Sequence, residues 1–217
     1  DQVFLPPREF NLMTGPHSIL VMGGEGSGRT ALEIQLKACA AQKESPCLLT
    51  ASWRLQLSEG LDSSQQVAEL LAQGMDAIAF SFLQTLVRVP SFYSSAPSWA
   101  RDFAHWFVWQ YLQGDHEFLL SRLSERAVPD GLEIAARLLS ESPRPLFPQH
   151  APAFILPRLT EAIKALGFEG IWIFLDGLDA LYYTSPDQLE KFLNYFLSTL
   201  EYFENPAFTF KIITSHN

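Results

Sequence analysis

The sequence predicts a three-layer α/β/α fold on a parallel sheet, and three observations predict it. Short apolar runs recur along the chain, each bounded by helix-breaking residues. Stretches with a helical period separate those runs. Strands that alternate with helices connect in parallel, and a parallel sheet needs helices on both faces.

The elements follow in order. Residues 1–17 contain Pro6, Pro7 and Pro16 and little periodicity, which predicts an extended lead-in. Residues 18–22 (SILVM) form a short apolar run between Pro16 and Gly23, so a buried strand fits better than a helix. A helix is expected from Thr30, with Ala31, Leu32, Ile34 and Leu36 as its apolar positions. Residues 47–52 (CLLTAS) read as a second strand. From 63 to 88, Val67, Leu71, Met75, Ile78, Phe82 and Leu86 recur every three or four positions, a helical period that Pro90 ends. A further helix is expected over 98–112, and shorter ones over 119–126 and 132–140. Pro143, Pro145, Pro148 and Pro152 make 142–152 a loop and the best internal boundary. Leu159, Ile163 and Leu166 mark a helix face that stops at Gly167. Residues 171–175 (IWIFL) read as a third strand. Ser185-Pro186-Asp187-Gln188 supplies a Ser cap, a Pro at the first helical position and a Gln three residues after the cap. The helix it starts continues through Leu189, Phe192, Phe196 and Leu200. Residues 208–214 (FTFKIIT) read as a fourth strand. The expected organisation is a lead-in at 1–17 and one domain at 18–217 with a helical insertion at 63–150. The first residue is not Met and the last four follow an apolar run, so the chain reads as an N-terminal-to-central piece of a longer protein.

Composition narrows the function classes. Of 217 residues, 47% are hydrophobic, enough for one sizeable core. The formal net charge of −9 argues against a non-specific nucleic-acid footprint, which needs a basic face. Cys39 and Cys47 make no disulfide framework, so a reducing, cytoplasmic compartment is expected. No apolar run approaches the ~18 residues of a membrane span. His17, His105, His116 and His150 are scattered, and neither cysteine has metal-ligand spacing to them, so no zinc site is expected.

The chemistry concentrates in a glycine-rich loop. Gly23-Gly24-Glu25-Gly26-Ser27-Gly28-Arg29-Thr30 matches G-x-x-x-x-G-K-[ST] except for arginine in place of lysine. An apolar strand precedes it and a helix follows. Glycines let successive N–H groups turn inward, and the helix adds its N-terminal partial positive charge. The cofactor-binding stretch is taken to run from Gly23 through Ala31. Thr30 can place its hydroxyl on Mg2+. Arg29 keeps the positive charge of lysine, but its guanidinium is planar and forked.

The third apolar run ends in Asp176-Gly177-Leu178-Asp179. An acid at the carboxyl end of a strand neighbouring such a loop binds Mg2+ directly or through water, and Asp176 is placed for that. Asp179 is the candidate to orient or deprotonate an attacking water. A turn or a cap is the plainer reading of both acids.

Together GGEGSGRT, IWIFLDGLDA and FKIITSHN resemble the STAND class of P-loop ATPases, which includes NACHT-type and NB-ARC-type signalling domains, and are similar to the wider AAA-related branch. The first segment then corresponds to a divergent Walker A motif and the second to Walker B. Thr214 and Ser215 match a strand that typically ends in Thr-Ser-Arg, and His216 stands where that arginine senses the terminal phosphate. The resemblance implies a P-loop NTPase sheet in the order 2-3-4-1, with the acidic strand between the second and fourth and a fifth strand beyond Asn217. It implies ATP/ADP and Mg2+ as cofactors. It implies a regulatory switch with slow or conditional hydrolysis that controls assembly or signalling. A degenerate scaffold that binds protein without hydrolysis is the alternative.

The resemblance does not reach the helical middle. Trp99, Phe103, Trp106, Phe107, Trp109, Tyr111 and Phe118 fall mostly on one helix face. Core packing is one reading. A surface for protein partners or self-association is a second, with Trp109 the outlier to test, and membrane insertion is a third that Arg101, Asp102 and His105 weigh against. Arg144, in the proline-rich loop, is a remote candidate for an arginine finger.

Overall fold

A computed structural model describes residues 10–23, 27–42, 48–56, 63–114, 116–124, 128–146, 152–176, 178 and 186–215. Four strands, β1 (Ile19–Gly23), β2 (Leu48–Arg54), β3 (Gly170–Asp176) and β4 (Phe208–Ser215), form one sheet. Between them run α1 (Phe10–Met13), α2 (Arg29–Gln42), α3 (Ser63–Leu86), α4 (Ser91–Ser95), α5 (Ser98–Tyr111), α6 (His116–Ser124), α7 (Pro129–Ser140), α8 (Pro152–Ala165) and α9 (Pro186–Glu201). Prolines open α7, α8 and α9, where a missing N–H costs no helical bond. The positive φ of Gly167 follows the end of α8.

The strand order is β1-β4-β3-β2, and every pairing is parallel. This is the order 2-3-4-1 that the resemblance implies, with β3 between β2 and β4. Travelling from β1 to β2 crosses the sheet one way, and β2 to β3 to β4 returns the other way. Right-handed crossovers that reverse direction place their helices on opposite faces.

The two faces bear this out. Leu32, Leu36 and Ala40 of α2 cluster with Trp172 and Phe174 of β3, and α1 adds Phe10 and Met13 at the margin. On the other face Ile171, Ile173 and Leu175 alternate with those aromatics and join Leu49, Ala51 and Trp53 of β2. There they meet α3, α5, α7, α8 and α9 in one large core. β3 is buried along both faces until its last residue, Asp176. The residues that read as an inserted helical segment therefore supply much of the main core. Phe103, Trp106 and Phe107 are buried in it, Trp109 is half-buried, and Trp99 and Phe118 are exposed.

Several local readings change. The first strand, expected to be buried, stands at the end of the described sheet with Leu20 and Met22 exposed. Helices α6 and α7 start three residues earlier than expected, at His116 and Pro129. The lead-in is not extended throughout, because α1 forms within it. The five-residue α4 was not expected. β2 runs two residues beyond Ser52, to Arg54.

Candidate functional site

The described members of the sequence-predicted site lie at the sheet's carboxyl edge. β1 ends at Gly23, and α2 begins six residues later at Arg29. Gly28 between them holds φ at +80°, and a Cβ there would meet nothing within 4 Å. Glycine is required by backbone conformation at this point, not by space. The Gly28 carbonyl accepts the first helical bond, from Leu32 N–H at 2.9 Å. The N–H groups of Thr30 and Ala31 thus start the helix without intrahelical acceptors. Ser27 and Thr30 are exposed and Arg29 is half-buried. A Cβ on Gly23 would collide with the Ser27 side chain and lie 3.5 Å from Arg29 Cγ, so this turn admits no larger residue without rearrangement.

Asp176 is the exposed end of an otherwise buried strand. It shares parity with Trp172 and Phe174, so its side chain leaves the sheet on the α2 face. β4 lies between β1 and β3, pairing Gly23 with Ser215 and Leu175 with Ile212. With strands ~4.8 Å apart, the β1 and β3 columns stand about 10 Å from one another. A crevice at the carboxyl ends, where the direction of strand order reverses, is the usual ligand position in open parallel sheets. The structure thus sets Gly23, Ser27, Gly28, Arg29, Thr30 and Ala31 after β1 and Asp176 at the end of β3, two strands apart on one edge of the sheet. Gly24, Glu25, Gly26, Asp179 and His216 lie outside the described residues.

Several residues near this edge were not singled out from sequence. Leu55 N–H donates to the Asp176 carbonyl at 2.9 Å, extending the β2–β3 ladder past Arg54. Gln73 of α3 then grips Gln56 twice: Gln56 N–H donates to Gln73 Oε1 at 3.1 Å, and Gln73 Nε2 donates to the Gln56 carbonyl at 2.9 Å. On the α2 face, Lys37 Nζ donates to Ser52 Oγ at 2.7 Å and to Glu33 Oε1 at 2.5 Å. The alternation of Leu49, Ala51 and Trp53 was the available signal that β2 continues to Arg54.

A second group fixes the lead-in. Lys211 of β4 is fully buried, and its Nζ donates to the carbonyls of Gly15 at 3.0 Å and His17 at 2.9 Å. It also sits 4.4 Å from the centre of the Trp172 ring. Thr209 Oγ1 donates to the Pro16 carbonyl at 3.1 Å, and Phe210 N–H donates to Ser18 Oγ at 3.0 Å. The segment entering β1 is therefore strapped to β4.

An open groove of about 850 Å³ lies between α3 and α9, lined by Ser64, Val67, Asn194, Tyr195, Ser198 and Tyr202. Both helices cover the face opposite α2, so this groove is separate from the carboxyl ends of β1 and β3 on the α2 side. Among the described residues, no group of three or more His, Cys, Asp and Glu side chains converges as a metal cage. Thr30 and Asp176 are a hydroxyl and one carboxylate, a donor set suited to Mg2+ that keeps water and phosphate oxygens as its other ligands.

Comparisons with protein-family models, with curated proteins and with solved structures found no match for this chain. The fold stands as an α/β domain with an open, all-parallel four-stranded sheet and helices on both faces. No described helix is long and apolar enough to cross a membrane.

Proposed function

We propose that this chain is an ATP-binding regulatory switch domain of the STAND-like P-loop type, with slow or conditional hydrolysis, that controls assembly or signalling of a larger protein. One observation carries the reading. A glycine at +80° starts α2 at the end of β1, while β3 ends in an exposed Asp176 on the same face and the same edge. In this reading the phosphates of ATP or ADP meet the N–H groups of the first turn of α2 and the Arg29 guanidinium. Thr30 and Asp176 hold Mg2+, which neutralises phosphate charge when bound. Asp179 orients water, and His216 takes the terminal-phosphate position. Arg29, in the place of the usual lysine, keeps turnover slow. The exposed Trp99 and Phe118 of the helical region supply contacts for protein partners or self-association.

The test is ligand-dependent stability. Millimolar Mg·ATP or ADP should raise the melting temperature, as any ligand of the folded state does. By calorimetry, Asp176→Ala should weaken Mg·ATP more than metal-free ATP. Equal losses for both would remove the metal role, and no stabilisation by either nucleotide would sink the reading. One observation favours the degenerate scaffold instead. The Ser27 side chain sits against Gly23, where a side chain filling a disused cradle would lie. A chain that melts at the same temperature with and without nucleotide is the outcome that supports it.

A further inference from the structure

We propose that Arg54 is a phosphate-facing residue that contacts the outermost phosphate of a bound nucleoside triphosphate; this rests on the nucleotide-binding reading above. Arg54 is the last residue of β2 and the register partner of Asp176. Register partners in a parallel pair stand ~4.8 Å apart and point to the same face. That face is fixed independently. Leu48 shares the parity of Arg54 and joins the α2 cluster, and Ser52, also of that parity, accepts from Lys37 of α2. Leu49, Ala51 and Trp53 go to the opposite core. Arg54 therefore projects beside Asp176, on the side from which α2 and its glycine loop arise.

Height along the strand agrees. From Ser52 to Arg54 the chain climbs about 6.6 Å toward the carboxyl edge. From Lys37 back to Thr30 the antiparallel α2 climbs about 10 Å toward that edge. Arg54 thus starts slightly below the level of Thr30, and an arginine side chain spans the difference. The backbone is held there from both sides, by the Leu55-to-Asp176 bond and the Gln73 grip on Gln56. Yet Arg54 is exposed and makes no side-chain hydrogen bond or ion pair among the described residues. A planar, forked guanidinium on a fixed backbone beside an acid-ended strand is suited to two oxygens of a multiply charged phosphate. It lies farther from β1 than Asp176 does, so it meets the end of a polyphosphate and not its start. This gives a charge at the distal end, beside a loop whose own cation is the arginine Arg29.

Calorimetric titrations with ADP and with a non-hydrolysable ATP analogue, both with Mg2+, test this on the full chain and on Arg54→Ala and Arg54→Lys. Because the side chain is exposed, both variants should keep the wild-type circular dichroism spectrum. The expected result for Arg54→Ala is about a tenfold loss for the triphosphate, or about 1.4 kcal/mol, with ADP unchanged. Arg54→Lys should recover part of that loss. If the wild type binds both nucleotides and Arg54→Ala weakens both equally, or neither, this inference falls while nucleotide binding stands. If the wild type binds neither, both fall.

Discussion

Replacing Lys211 by Met tests whether the strap between β4 and the lead-in stabilises the domain. The variant keeps the length of the side chain and removes the ammonium. Two hydrogen bonds from a charged donor are lost, at 3.0 and 2.9 Å, each of a kind that contributes about 1.5–3 kcal/mol. The ring contact with Trp172, 4.4 Å from Nζ, adds about 2 kcal/mol when desolvated. Against these stands the cost of holding the ammonium out of water, several kcal/mol that Met does not incur. The orphaned carbonyls are also not stranded: His17 is exposed and Gly15 half-buried, so water can reach them. The balance leaves a net loss of about 2 kcal/mol. In a chain of this size each kcal/mol moves Tm by about 2–4 °C, so Lys211→Met should melt about 4–8 °C lower. Thermal unfolding followed by circular dichroism reads this directly. Hydrogen exchange should accelerate at residues 15–18 before it does elsewhere. A variant that melts at or above the wild-type temperature, with unaltered exchange there, would refute the claim that this ammonium holds the lead-in.

Two further predictions concern backbone and charge. Gly28→Ala forces a side chain onto φ +80° and should cost about 1–2 kcal/mol, whereas Gly114→Ala, equally uncrowded and without a positive φ, should be close to neutral in urea unfolding. Burial pushes the Asp76 carboxyl up from 3.8 to about 6. The folded chain then holds a proton that the unfolded chain has released, so this group destabilises above the folded value, and its cost fades as pH falls from 6 to below 4. Because Asp76 is more than a third exposed, screening reduces the effect to about 1 kcal/mol. Asp76→Asn should therefore raise Tm at pH 8 and leave it unchanged at pH 4. A constant difference across that range would exclude the linkage.

Much of the sheet was legible because its strands are short apolar runs between breakers, and IWIFL is apolar on both faces as a central parallel strand must be. Helix α3 was legible from its unbroken period. What escaped has identifiable causes. α1 and α4 are four and five residues long, too short to display a period. Arg54 was hidden because Ser52 ended the apolar run, although the alternation through Trp53 continued. The role of Lys211 depends on partners 194 and 196 positions away, which no local pattern encodes. The aromatic stretch divided between core and surface because packing with α3, α7 and α8 decides which ring is covered, and spacing alone does not. For the site, the glycine loop and Asp176 were read from motif and context. Leu55, which bonds the Asp176 carbonyl, and Gln73, which bonds the neighbouring Gln56 backbone, are ordinary residues with no signature.

The pairing of β1 with β4 also dictates an order of assembly. β4 is the only sheet neighbour of β1 among the described strands, and Phe210 bonds to Ser18 across 192 positions. A chain emerging from the ribosome can therefore build α2, β2, α3 and β3 around one another while the strand that carries the glycine loop still waits for its partner. Contacts so distant in sequence close slowly, because the loop entropy must be overcome before they form. The β1–β4 pairing that sets Gly28 and Asp176 on one edge is thus among the last contacts to close in synthesis, and a nascent chain stalled before residue 208 would lack it together with the Phe208 and Phe210 rings of the main core.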